Sequence, residues 1–333
     1  DYQKFINLFF INKINKTKKV MMTFDDYERH DLNIITASGC DMVLTACPIS
    51  VFKYAEVGYS AHFMPLEADA NFYKNNNLAK DIDVLFFGKV SNDRKNYIDH
   101  IRNNGIQIKV VGNNVKNRVT DKEIVNLICK SKIVVNFSKS TWDSVMTIPQ
   151  GNLFKFTYQF KGRIIQAGLC GTACVTEYAP HHKLMFKSDE LLEFNSKEEC
   201  VEILKDLLNN PKKLLSFKEN LEHKVHNLYE EGRSFQKIYD AIDKEHSKKE
   251  NLKLVPFWYL RIAAKQILVR DTSILKFFGT LRQFWEVLRI IKKSKIYVQL
   301  LVMGESLLNM IWYSFIRTFK KKGVGKNRYQ DKL

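Results

Sequence analysis

Three short stretches of this 333-residue chain put cations and hydrogen-bonding groups where strands should give way to helices. The first is Gly88-Lys89-Val90-Ser91-Asn92-Asp93-Arg94. Gly88 permits a tight turn, and Lys89 and Arg94 stand at an expected helix start, whose unpaired N–H groups and dipole already favour an anion. Two cationic side chains there suit a diphosphate. An ordinary solvated basic loop has the same composition, so this stretch alone leaves both readings open. The second is Lys161-Gly162-Arg163-Ile164-Ile165-Gln166, running on to Cys170-Gly171. Cations at a helix start oppose the dipole, and a bound anion would reverse that penalty. Gln166, three residues beyond Arg163, can face the same ligand. The third is Thr176-Glu177-Tyr178, an acid and a phenol at an expected strand end. Gly112 closes another apolar run and allows close approach of the backbone to a base or sugar, or is a plain turn.

Other chemistries find less support. Asp25 and Asp26 are weak catalytic candidates. Being adjacent, they would point to opposite faces of a strand, so at most one reaches a cleft. His181-His182 reads as exposed loop. The six cysteines form no CxxC pair and have no histidines at zinc spacing, which implies reduced thiols and no metal site.

These residues need a scaffold that aligns strand ends. Apolar runs of about five residues alternate with helical patterns, which predicts parallel sheets covered on both faces. Residues 19–24, 41–45 and 60–64 read as strands, with a helix over 49–57 and another over 1–15. Three strands are few for a doubly wound domain. The opening reads as the middle of a domain, so residues 1–66 are expected to be a partial Rossmann-like domain lacking an N-terminal piece. Residues 67–80 read as a linker. A cleaner alternation follows, with strands over 83–88, 106–112, 133–137, 173–177 and 191–194. Helices are expected over 93–104, 121–131, 162–169 and 197–208. We assign 81–232 to a Rossmann-like domain, whose ligands bind beyond the carboxyl ends of its strands. Residues 233–250 are assigned to a return helix.

The net charge of +17 is uneven. Residues 251–333 hold 17 Lys and Arg against 4 Asp and Glu, a balance of +13 that leaves +4 for the other 250 residues. That argues against a general nucleic-acid surface, which would spread cations over the main domain. Within the tail, Phe277, Phe278, Leu281, Phe284, Trp285 and Leu288 fall on one helical stripe with Lys292-Lys293 beyond it. A basic amphipathic helix with aromatics suits an anionic membrane surface. Glu305 inside the next apolar stretch disfavours a span. Packing against the body is the alternative.

The motifs taken together resemble a known family. In order they are DVLFFG, a basic helix start, VVG, SKIVVNFS, KGRIIQAGLCGTACVTEYAP and SDELLEF. They are preceded by F-D-D, D-x-V-L-T and F-x-P-L-E-A-D. Over roughly residues 19–215 they resemble the group 1 glycosyl transferase domain of CgeB-like, spore-maturation-type proteins. That resemblance implies a GT-B glycosyltransferase, an α/β fold of two Rossmann-like domains, here with a helical C-terminal appendage. It implies a nucleoside-diphosphate-sugar donor, no cofactor and no bound metal, because cations and a helix dipole neutralise the leaving diphosphate. The family's Gly-Arg-x(4)-Lys loop falls on Gly88, Lys89 and Arg94 with the two cations exchanged. Its ribose-binding Glu falls on Gln166, which accepts a hydrogen bond without the charge. Where the broader retaining group has a second Glu, Tyr158 stands. The donor-binding set is therefore Gly88, Lys89, Arg94, Gly112, Lys161, Arg163, Gln166, Glu177 and Tyr178. The expected activity is transfer of a hexosyl group to a hydroxyl of a glycan or lipid-linked acceptor, in surface polysaccharide or glycolipid synthesis. The expected place is the cytoplasmic face of the membrane, with residues 251–333 on its anionic surface. The alternatives are a non-catalytic binding scaffold of the same fold, favoured by Gln166 and Tyr158, and a nucleotide-sugar epimerase.

Overall fold

The computed structural model describes residues 16–244 apart from 25, 38, 65–67, 113–118, 140–157 and 230–232, together with 304 and 308. The helix expected over 1–15 and nearly all of the basic tail lie outside the described residues. The chain divides into two compact units. One comprises Asp1–Thr45, Ser50–His62 and Ile242–Leu333, the other Ala46–Ile49 and Phe63–Ala241.

The first unit contains β1 (Val20–Thr23), α1 (Asp26–Ala37), β2 (Met42–Thr45), α2 (Pro48–Glu56) from Ser50 onward and β3 (Ala61–Phe63) as far as His62. The strands form one sheet in the order β1-β2-β3, with β1 and β2 parallel and Val20 opposite Met42. Every residue of β2 is buried, as its unbroken apolar run requires. Helix α1 escapes the sequence reading because DYERHDLN carries too few apolar residues to show a period. Ile34 and Ala37 are its buried apolar anchors.

The second unit contains β4 (Ile82–Phe87), α3 (Asn92–Asn103), β5 (Ile108–Val111), α4 (Asp121–Lys130) and β6 (Ser131–Asn136). There follow α5 (Arg163–Leu169), β7 (Ala173–Glu177), β8 (Leu192–Phe194), α6 (Lys197–Asn209) and α7 (Pro211–Tyr229). Its five strands run parallel in the order β5-β4-β6-β7-β8. Alternation along β4 sends its residues to opposite faces. Val84 and Phe86 join Ile98 and Ile101 of α3 and Val201 and Leu204 of α6. Leu85 and Phe87 join Val125 and Ile128 of α4, Ile164 and Ile165 of α5, and Leu221 and Val225 of α7. Local signals start the helices: Thr120 and Glu123 form a reciprocal capping box on α4, and Ser196 caps α6. From β4 the chain winds outward to β5, then returns across β4 to β6. That reversal is a switch point, the place where open parallel sheets leave a crevice for ligands.

The segment expected to link the domains is packed onto this second unit. Ala68, Ala70, Tyr73 and Leu78 contact its core. Lys80 Nζ donates to Gly171 O at 3.1 Å and Thr172 Oγ1 at 2.8 Å, and Cys129 Sγ donates to Lys74 O at 3.3 Å. Polar composition suggested a free linker, but its few apolar residues find hydrophobic neighbours. Helix α8 (Arg233–Lys244) falls within the expected return helix. All six cysteines are free thiols. Among the described residues no helix is long and apolar enough to cross a membrane.

Candidate functional site

Where β4 ends, the backbone at Gly88 adopts φ +133°, and where β5 ends, Gly112 adopts φ +83°. Both lie in the region that side chains disfavour. The two turns touch: Gly88 N donates to Val111 O at 3.0 Å, and a methyl on Gly112 would press on Gly88 N. A methyl on Gly88 would collide with the Arg163 guanidinium, so glycine is what lets that cation sit against the turn.

Arg163 opens α5 and reaches across to the end of β4. Its Nε donates to Phe87 O, and its Nη1 donates to Asn136 Oδ1 at 3.0 Å. Arg94, on the first turn of α3, points inward and is 5% exposed. Its Nη1 donates to Lys89 O at 2.8 Å and its Nη2 to Lys139 O at 3.4 Å. Both guanidiniums lie over the Phe86 ring, 5.4 Å from its centroid for Arg163 and 5.9 Å for Arg94. Burial, and then the charge of Arg94, lower the Arg163 pKa to about 9. Among the described residues no carboxylate lies within ion-pair distance of Arg163. Two like charges share one ring at a switch point, and the oxygens that accept from Arg163 are neutral. A polyanion bound there would offset their mutual repulsion.

A buried polar network holds the pair in place. Asn136, which accepts from Arg163, donates to Thr176 Oγ1 at 2.8 Å. Ser138 Oγ donates to Glu177 O at 2.9 Å. Glu177, 4% exposed, accepts from Lys139 N at 2.9 Å and pairs with Lys139 Nζ at 3.1 Å. Burial alone would lower the Lys139 pKa, but Glu177 brings it above the usual lysine value. Glu177 therefore fixes the loop whose carbonyl accepts from Arg94.

The sequence-predicted residues thus separate into groups. Gly88, Arg94, Gly112 and Arg163 come together at the strand ends. Lys89 contributes its carbonyl to Arg94, and its side chain is exposed. Lys161 is half-buried two residues before the α5 start. Gln166 Nε2 donates to Tyr73 Oη at 3.0 Å, which leaves its carbonyl oxygen as the atom for a ribose hydroxyl. Glu177 has both carboxylate oxygens engaged by Lys139. The Tyr178 ring stands edge-on to Tyr158 with centroids 6.2 Å apart, and Tyr158 pairs by its backbone with Lys139.

Two readings change. Asp26 lies in no cleft. Its side chain is fully buried in the first unit and accepts from Asn33 Nδ2 at 2.7 Å and Tyr54 Oη at 2.8 Å, with His30 Nδ1 at 3.2 Å. Asp25 lies outside the described residues. His181 and His182 are buried, not exposed loop. Their rings meet edge-on with centroids 4.8 Å apart, and His182 Nδ1 is 2.7 Å from Glu193 Oε1. Burial and the neighbouring His182 lower the His181 pKa to about 3. Sequence reasoning missed Lys139, Asn136 and Ser138. Polar residues closing the apolar run of β6 were the available signal.

Residues 94–239 match a family model described as glycosyl transferase-like. Comparison with curated proteins finds no match. Among solved structures, the Anabaena Alr3699/HepE complex with UDP and glucose is similar with a TM-score of 0.52 and 15% identity, over 68% of this chain and 71% of that one. TarM is similar with a TM-score of 0.52 and 10% identity, over 71% of this chain and 52% of that one, so this chain spans about half its length. The fold is the α/β architecture of GT-B glycosyltransferases.

Proposed function

We propose that this protein transfers a sugar from a nucleoside diphosphate sugar to a hydroxyl acceptor. One observation carries the reading: Arg94 and Arg163 share the Phe86 ring at the switch point, with Gly88 and Gly112 opening the backbone beside them. The arginines neutralise the leaving diphosphate, and the Gln166 carbonyl accepts from a ribose hydroxyl. Preorganised cations of this kind do the work a metal would otherwise do. The transfer is therefore metal-independent in this reading, and the transferred group is a hexose. The solved HepE structure holds UDP and glucose, which supports a uridine donor here. The CgeB-like motifs support a place in surface polysaccharide or glycolipid synthesis. The basic residues of 251–333 support peripheral attachment to an anionic membrane on its cytoplasmic face. Sedimentation with anionic and neutral vesicles tests that attachment, and equal recovery from both would reject it.

Calorimetry with UDP and UDP-hexoses in the presence of a chelator tests the central reading. A folded-state ligand at 100 times its Kd adds about 2.7 kcal/mol of stability. Binding that survives the chelator, followed by donor hydrolysis, is the expected result. Absence of nucleotide binding would reject it. A non-catalytic binding role is favoured by the uncharged Gln166 and by Tyr158, and predicts binding with no turnover.

A further inference from the structure

Beside the arginine pair, on the face of the second unit covered by α3 and α6, a groove of about 690 Å³ runs between those helices. Ligand pockets span roughly 300–1,000 Å³, so it accommodates more than one sugar ring. Its upper rim is Arg94, Lys139 and Glu177, and its walls are the facing sides of α3 and of the β8–α6 turn.

The lining is balanced in charge. Three acids (Asp93, Asp99 and Glu177) meet three bases (Arg94, Lys139 and Lys197), so the net charge is zero with His100 neutral. At the rim these charges already have partners: Lys139 is paired with Glu177, and Arg94 donates to two carbonyls. What remains is hydrogen-bonding capacity without net charge, supplied by the amides of Asn96, Asn103 and Asn195 and the hydroxyls of Ser91 and Ser196. One hydroxyl is conspicuous. Ser91 precedes α3 as its cap residue yet makes no capping bond, and its Oγ is buried with no hydrogen-bond partner among the described residues. A buried hydroxyl without a partner is costly, so a ligand hydroxyl that reaches it is favoured. Tyr97 supplies an aromatic wall, braced by Phe137 and Phe194 at centroid distances of 5.3 and 5.5 Å.

We propose that this groove binds a neutral oligosaccharide, the acceptor chain of the transfer proposed above. Sugar hydroxyls pair with planar amides and serine hydroxyls, and a sugar ring packs its C–H face on an aromatic wall. A phosphate-bearing ligand gains nothing from a lining of zero net charge, whereas an uncharged polyol needs none. The acceptor role rests on the transferase reading, because the groove ends at the rim beside the arginine pair. The binding itself does not.

Saturation-transfer NMR on the full chain tests this with a panel of neutral oligosaccharides, such as maltose- and chitobiose-type chains, and uronic-acid oligosaccharides of equal length. The expected result is transfer to a neutral member, reduced at least fivefold by Asn96→Ala combined with Asn195→Ala, two exposed positions that should leave the melting temperature unchanged. The signal should persist in Arg163→Ala and in excess UDP. No transfer to any neutral oligosaccharide would overturn the proposal. So would a signal indifferent to the paired alanines, which places binding elsewhere, or one abolished by UDP, which makes the groove part of the donor site. Calorimetric UDP binding is read separately, so a chain that takes oligosaccharide but no nucleotide refutes the transferase reading alone.

Discussion

Two clusters of polar side chains, one in each unit, stand beside the ends of parallel strands, and they are chemically opposite. In the first unit Asp26 is an acid surrounded by groups that satisfy it: Asn33, Tyr54, His30 and Ser50. Burial alone would raise the Asp26 pKa, but those hydrogen bonds, led by His30, bring it below the usual aspartate value. In the second unit Arg163 is a buried cation whose acceptors are a carbonyl and an amide oxygen, and the charge of Arg94 adds to its electrostatic cost. A saturated network adds stability and leaves nothing for a ligand. A network short of one charge loses stability until a ligand of that charge arrives.

The sharpest break in this contrast is expected at Arg163. Arg163→Ala should weaken UDP binding about a hundredfold, on the order of 3 kcal/mol, the upper range for hydrogen bonds to a charged group. It should not lower the melting temperature of the unliganded protein, because a costly buried cation is removed. Calorimetry and a thermal melt together read both outcomes, and a large loss of stability would mean that Arg163 is structural. Asp26→Ala should do the reverse. It strands several donors and should cost roughly 3 kcal/mol of stability by denaturant titration, with UDP affinity unchanged. The pH sign follows from the lowered carboxyl. The Asp26 contribution is present above its unfolded value near 3.8 and is lost as pH falls through the lower folded value.

The smallest effect is at Gln166. Gln166→Glu should tighten UDP binding by roughly 1 kcal/mol, the step from a neutral to a charge-assisted bond. Tyr73 then donates to the new carboxylate instead of accepting from the amide. Unchanged or weaker binding by calorimetry would remove Gln166 from the ribose site.

Much of the scaffold was legible because buried parallel strands advertise themselves as short apolar runs. The runs at 83–88 and 173–177 correspond to β4 and β7 within a residue or two. Arg163 drew attention through a local contradiction, a cation at the start of a helix. What was hidden depends on neighbours distant in sequence. Glu177 looks like a ligand residue because it ends a strand. Only the adjacency of β6 and β7 shows that Lys139 takes both of its oxygens. His181 and His182 look like surface because they follow a strand in a loop. Their burial rests on Phe160 and Glu193, which local pattern does not reveal. Helix α1 was hidden by its own polar composition.

The strap over residues 68–80 has a mechanical consequence. It is fastened to the second unit at Tyr73 through Gln166, at Lys74 through Cys129, and at Lys80 through Gly171 and Thr172. A methyl on Gly171 would strike Asn75, so the fastening is also steric. A tether attached at so many points has no slack. Tension on the chain ahead of residue 68 would load α5 at its middle, through Gln166, and at the turn that follows it. The helix that holds Arg163 would share that pull with α4, which is held to the strap through Cys129.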